Sequence, residues 1–320
     1  MLDPKSTADL VAGARELLLA PHTPAAFDAW GPTTVNYALC AFWVVLSLAV
    51  GVATDNLSQV DKLWSLTPWM YVWVYAWHDL KNVRLAVMAL VATVWGIRLT
   101  LNFNRRGGYT WPPWEGEEDY RWEYVRKMFS KKESPIKWHL FHLGFVCFFQ
   151  HAVLLWIALP AQVVYANRDN AHPFGYADVA LTALILGLLA FEAVADEEQY
   201  EFQTRKHALL RRFNGDKRKL PAPYSHGFVH GGVWALSRHP NYFAEQAVWV
   251  CFNGYALLAL RAWVPQVANV GCVLLIGIFS QSLPLAESIT LKKWPLYWEY
   301  QKRVPALFPY GTGLRLERQD

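Results

Sequence analysis

Ten consecutive residues combine chemically capable types at productive spacings: Leu236-Ser237-Arg238-His239-Pro240-Asn241-Tyr242-Phe243-Ala244-Glu245. Pro240 suits the first turn of a helix, where a missing N–H is no loss, so a helix starts near Arg238 and runs to about Trp263. Free backbone N–H groups there, with Arg238 and His239 beside them, make a positive patch suited to a phosphate or carboxylate. Asn241 and Glu245 lie one turn apart on a shared face. A carboxylate inside an apolar span costs about 2.5–3.5 kcal/mol to insert, less near the interface, so it faces a partner or a polar cavity. The segment reads as a ligand site opening toward water. The plainer alternative, Arg238 and His239 snorkelling to lipid headgroups, leaves Asn241 and Glu245 unexplained.

Three further places carry candidate groups. Asp61, in Gln59-Val60-Asp61-Lys62-Leu63-Trp64-Ser65, lies at a membrane boundary. It reads either as an acid with a pKa raised by burial, able to donate to a substrate carbonyl, or as a carboxylate stabilised at a helix N-terminus. Glu192, Asp196, Gln199 and Gln203 recur on one helical face. Acids near a helix C-terminus need compensation, from Arg205, Lys206, Arg211 and Arg212 or from a ligand. The tail from Lys292 to Tyr310, with Tyr300 and Arg303, offers aromatic surfaces and cations suited to an aromatic, anionic cofactor. Gln150 and His151 read as polar groups satisfied by neighbouring helices.

These groups need a scaffold, and the composition defines it. Among 320 residues, 54% are hydrophobic, with 17 Trp, 15 Tyr and 17 Phe; mean hydropathy is +0.10. That is too apolar for a soluble domain of this length and indicates an all-α, polytopic membrane protein. Candidate spans lie near 34–54, 64–79, 83–103, 138–165, 176–195, 242–262 and 264–285, the second being the weakest. Basic residues collect in 105–137, 205–238 and the tail after Lys292. The positive-inside rule makes these cytoplasmic, with the N-terminus outside and the C-terminus inside. Residues 1–33 form an N-terminal segment that, with Pro4, Pro21, Pro24 and Pro32, does not resemble a cleaved signal peptide. The rest, 34–320, forms one membrane domain with cytoplasmic loops 104–137 and 196–240 and a tail 286–320. Glu118 to Lys132 is expected to form a short helix.

The net charge of +4 fits this topology and anionic lipid contact better than nucleic-acid binding, for which no module is present. Cys40, Cys147, Cys251 and Cys272 fall in apolar spans without metal spacing, so neither disulfides nor a metal site is expected. No internal repeat of the transporter kind is visible, and no obligate protein partner is evident.

Several ordered motifs resemble the membrane-bound steroid 5-alpha-reductase family in its broad sense. They are Val60-Asp61 with Leu63-Trp64-Ser65, Trp95-Gly96-Ile97-Arg98-Leu99, Glu118-Asp119-Tyr120-Arg121, Ala195-Asp196, Arg238-His239-Pro240-Asn241-Tyr242 with Glu245, and Tyr300 with Pro309. The resemblance covers about Gln59 to Tyr310. It implies a seven-helix fold holding NADPH on its cytoplasmic side and a lipid-like substrate, such as a steroid, sterol or other enone, between the first helices. Hydride transfer to a carbon–carbon double bond is the implied reaction. The implied cofactor contacts are Asp196, Arg238, His239, Asn241, Tyr242, Glu245, Tyr300 and Arg303, with Asp61 a conceivable catalytic acid. The location follows from the cell: the endoplasmic reticulum in a eukaryote, the inner membrane in a bacterium.

The chain departs from that pattern at Trp95, which stands where the resemblance implies a proton-donating tyrosine. Ala244 likewise stands where a glycine is usual. Two competing readings remain. One is a membrane methyltransferase of the isoprenylcysteine carboxyl type, which holds S-adenosylmethionine with a similar Arg-His-Pro-x-Tyr segment; the other is a lipid-binding scaffold without catalysis.

Overall fold

A computed structural model describes residues 30–128, 134–261 and 267–311. Expectations for residues 1–29, for the end of the helix beyond Met128, for the link 262–266 and for 312–320 lie outside the described residues. Every regular element among them is helical: α1 (Pro32–Thr54), α2 (Gln59–Trp64), α3 (Thr67–His78), α4 (Val83–Asn104), α5 (Tyr120–Met128), α6 (Pro135–Phe141), a π-helix (His142–Phe149), α7 (Gln150–Trp156), α8 (Leu159–Ala166), α9 (Tyr176–Arg212), α10 (Pro240–Leu260), α11 (Asn269–Lys293) and α12 (Tyr297–Arg303). The protein is an all-α, polytopic membrane protein. All four cysteines are free.

Among the described residues, six helices are long and apolar enough to cross a bilayer: α1, α4, Pro135–Trp156, α9, α10 and α11. The weak second span, 64–79, contains only the 12 residues of α3, about 18 Å of helix and short of a bilayer core. The chain nevertheless crosses the bundle there. At one end, Leu57 N–H donates to Glu118 Oε1 at 2.7 Å and Asp119 N–H to Ser58 Oγ at 2.9 Å. This places the start of α2 against the loop that follows α4. At the other end the Tyr75 hydroxyl meets Thr33 at 3.5 Å and the His78 ring lies edge-on to Tyr165. One face of α3, with Tyr71, Val72, Tyr75 and Ala76, is buried against the bundle.

Local sequence sets the boundaries. Pro32, Pro68, Pro135, Pro160 and Pro240 each stand in the first helical turn, and the Asn82 side chain accepts from Leu85 N–H to cap α4. At the far end, buried Arg84 grips Asp178 through two bonds of 2.6 and 2.9 Å, tying the starts of α4 and α9 together. A Cβ on Gly96 would lie 2.3 Å from Trp69 and 2.8 Å from the Ser65 carbonyl, so only glycine lets α4 approach α3 this closely. The 37 residues of α9 span about 55 Å, nearly twice a bilayer core, so its last turns project beyond the apolar layer with the acidic face. A core of Tyr71, Trp95, Trp249, Phe252 and Tyr255 joins α3, α4 and α10.

A candidate functional site at the loop end of the bundle

One buried polar group is built on Arg98, six residues before the end of α4. Its Nη2 lies 2.9 Å from Glu192 and 3.2 Å from Glu245, and its Nη1 lies 2.5 Å from Asp196. α9 supplies two of these carboxyl groups one turn apart, and the first turns of α10 supply the third. Trp95 Nε1 donates to both Glu245 oxygens at 3.1 and 2.9 Å, and Trp249 Nε1 donates to Oε1 at 3.1 Å. The two indoles meet edge to face at 4.9 Å. Asn241 donates to Asp196 at 3.4 Å. Three carboxyl groups thus surround one guanidinium out of water. Hydrogen-bonding capacity is left over: Arg98 Nε, Glu192 Oε2 and Gln199 Oε1 are buried without partners.

A second group centres on Glu287 of α11. Arg238 donates to it through Nε at 2.7 Å and Nη2 at 3.1 Å, and His239 Nε2 lies 3.0 Å away. Gln301 at 2.7 Å and the Tyr297 hydroxyl at 3.3 Å complete the set. Arg238 Nη1 also donates to the carbonyls of Gln301 and Val304, at 3.0 and 2.5 Å. Tyr300 is buried, its hydroxyl donating to the Trp234 carbonyl while its ring stacks on Phe228 at 5.2 Å. Arg303 is exposed at the end of α12. These residues bind the tail to the start of α10. The His239 ring stacks on Tyr242 at 5.0 Å, and Tyr242 lies in turn near Arg121 and Asp119.

The loop 107–119 with α5 forms the third group. Lys62 is buried and bonds the carbonyls of Pro113 and Glu115, latching the loop onto α2. Trp122 Nε1 donates to Asp61 Oδ2 at 2.9 Å. Burial pushes the Asp61 carboxyl above its ordinary value; Arg121 opposes that rise and Asp119 adds to it. Asp119 behaves oppositely: burial works against its charge, but Arg121, bonded at 2.7 and 3.1 Å, outweighs it and holds the carboxyl low, with help from Arg106. The Arg121 guanidinium lies close enough to Asp61 and Tyr242 to feel both. Tyr120, under burial and beside Tyr242, is pushed up to about 12.

The sequence-derived candidates therefore divide. Asp196, Asn241 and Glu245 converge on Arg98; Asp61 and Tyr242 stand at the rim beside Arg121; Arg238, His239 and Tyr300 gather around the tail; Arg303 joins none of these groups. The two hubs, Arg98 and Glu287, are not among the candidates the sequence offers, although each is an ionisable residue inside an apolar run, which is itself a signal.

The fold and site define a helical membrane protein with a buried ionic cluster at one end of its bundle. The chain belongs to the family described as "Protein of unknown function (DUF1295)", whose model matches residues 47–304. It is 33% identical over 277 residues to the "Uncharacterized protein C594.04c" of Schizosaccharomyces pombe, covering 82% of this chain and 76% of that protein. No solved structure matches the chain.

Proposed function

We propose that the protein is a membrane reductase that binds NADPH at the loop end of the bundle and reduces a carbon–carbon double bond of a lipid-like substrate. The observation carrying this reading is the convergence of Glu192, Asp196 and Glu245 on the single cation Arg98. Bound NADPH supplies a hydride, and its departure leaves positive charge on the nicotinamide. An acid-rich, water-excluded cluster favours such developing charge. The residues suit the cofactor elsewhere too. Unpartnered Arg98 Nε and Glu192 Oε2 offer a donor and an acceptor to a carboxamide, while exposed Arg106 gives phosphates a cation at the rim.

In this reading Asp196 and Asn241 hold the cofactor, Glu245, whose oxygens are taken by Trp95, Trp249 and Arg98, fixes Arg98 in place, and Asp61 holds a transferable proton. Arg238, His239 and Tyr300 act as positioning residues that fix the start of α10. The basic loops face the cytoplasm, in the endoplasmic reticulum of a eukaryote or the inner membrane of a bacterium.

The methyltransferase reading is weaker on two counts. S-adenosylmethionine carries its positive charge before transfer and loses it afterwards, so the same acidic field would favour the ground state. Arg238 and His239, which that reading needs for the ligand, are engaged by Glu287. The test is the melting temperature of detergent-purified protein with NADPH or S-adenosylmethionine. A rise with NADPH, lost in Glu245→Gln, is expected, since only a ligand of the folded state stabilises it. A rise with S-adenosylmethionine alone would reverse the assignment.

A further inference from the structure

The last turns of α9 carry a second polar face. Glu198, Glu201, Phe202 and Arg205 recur along one stripe of the helix. Glu198 follows Asp196 by two residues, about 200° around the helix, so this stripe lies on the opposite side from the Arg98 cluster. The segment 223–232 and the turn after it fold against the stripe. Phe202, Val229 and Trp234 form a small core there, and Trp234 Nε1 donates to the Ala195 carbonyl at 3.0 Å.

A cavity of about 310 Å³ lies between the helix and that segment. Its aromatic walls are Phe202 and Tyr224, with ring centroids 5.3 Å apart. Glu198 is pinned against the loop backbone: Val233 N–H donates to its Oε2 at 3.0 Å, and a Cβ on Gly232 would lie 2.0 Å from Oε1. Gly232 also has a φ of +59°, so the position needs glycine on both counts.

The charges lining the cavity are unbalanced. Among the described residues no cation pairs with Glu198. Glu201 pairs with Arg205 at 3.3 Å, but both side chains are more than half exposed, and an exposed pair is weak. His230 lines the cavity with its Nε2 2.7 Å from His226 Nδ1. Burial, with His226 beside it, pushes the His230 imidazole below its ordinary value, so His230 adds no positive charge at neutral pH.

We propose that this cavity binds an organic cation: an ammonium or guanidinium group on a short apolar stem, carried by a free amine or by a basic side chain of a peptide. The cation meets the Glu198 carboxylate, and the stem lies along Phe202 and Tyr224, whose ring faces attract positive charge. Size limits the class, because about 310 Å³ is at the lower end of small-molecule sites and too little for a dinucleotide. An anion would be repelled by the unmatched carboxylate, and an uncharged guest would strip water from it without compensation. The site does not rest on the NADPH reading, whose residues lie on the other side of α9.

The test melts detergent-purified protein with matched probes: 2-phenylethylamine against uncharged 2-phenylethanol, and an acetylated, amidated glycine-arginine-glycine peptide against the same peptide with citrulline. A ligand of the folded state raises its melting temperature. A charged probe is expected to do so and its neutral counterpart is not; whichever charged probe acts at the lower concentration identifies the source, free amine or peptide. Glu198→Gln keeps an acceptor for Val233 N–H and removes the charge. It should weaken the charged probe on the order of ten-fold, the worth of a hydrogen bond to a charged group. A Cβ on Gly231 meets nothing within 4 Å, so Gly231→Phe fills the cavity without a clash at its base and should abolish the shift; it decides alone if Glu198→Gln fails to fold. Equal shifts from charged and neutral probes, no shift from any probe, or an undiminished shift in either variant overturns the proposal.

Discussion

The Trp95 indole spans both oxygens of Glu245, at 3.1 and 2.9 Å, where a phenol would have presented a single hydroxyl. The departure from the resembled pattern at this position thus has a structural consequence: the donor here anchors an acid on the neighbouring helix. Trp95→Phe removes the N–H while filling most of the volume. Glu245 keeps Trp249 and Arg98, so the protein should fold but lose about 1.5–3 kcal/mol, the worth of hydrogen bonds to a charged group. Thermal melts check the stability, and the NADPH-dependent shift should shrink alongside it.

Arg98 is the only cation in direct contact with Glu192, Asp196 and Glu245 among the described residues. Arg98→Gln leaves three acids facing one another out of water, and breaking a buried pair costs about 3–5 kcal/mol. Adding Glu192→Gln removes one of those acids and should recover part of the loss, because contacting residues are not additive. Melting the single variants and the double variant gives the coupling. Equal destabilisation in Arg98→Gln and in the double variant would mean that the acids do not depend on this guanidinium.

How much of this was legible beforehand follows from the range of each interaction. Apolar length found six spans, and the weak seventh came from the same signal, because α3 is too short to register strongly. Pro240, Asn241 and Glu245 marked a helix start and its polar face through neighbours one turn apart. The destinations of Arg238 and His239 were out of reach, since Glu287 lies 49 and 48 residues away. A basic pair at a helix start looks the same whether it awaits a ligand or meets an acid from a distant helix. Arg98 was hidden for the converse reason: its three acids come from 94 to 147 residues downstream, and no local spacing announces them.

Glu287 bonds Arg238, His239, Gln301 and Tyr297 at once. Glu287→Gln keeps the shape but removes the charge that holds the guanidinium. The expected cost is about 3 kcal/mol, with the tail after Lys293 becoming accessible to protease first. Limited proteolysis with mass mapping checks the order of cleavage. If cofactor stabilisation weakens in the fraction that stays folded, Arg238 and His239 act by positioning α10; if it is unchanged, the cofactor does not depend on this anchor.

Asp61 and Asp119 give opposite pH dependences at the same rim. Burial raises the Asp61 carboxyl above 3.8 in the folded protein, so the folded state binds the proton more tightly. Its contribution is therefore most favourable below 3.8 and is lost as pH rises through the raised value. Asp119 is held low, chiefly by Arg121 against its burial. Its stabilisation is present above 3.8 and is lost as pH falls through the depressed value. Asp61→Asn should accordingly raise the melting temperature at pH 7. Asp119→Asn should lower it at pH 7; toward pH 4 the Asp61→Asn difference should vanish, while the Asp119→Asn difference should persist. Trp122 Nε1 can still donate to an asparagine oxygen, so the Asp61→Asn difference reports the charge more than the hydrogen bond. Melting curves between pH 4 and 8 check the pair, and a common sign for the two variants would show that Arg121 does not divide the two acids.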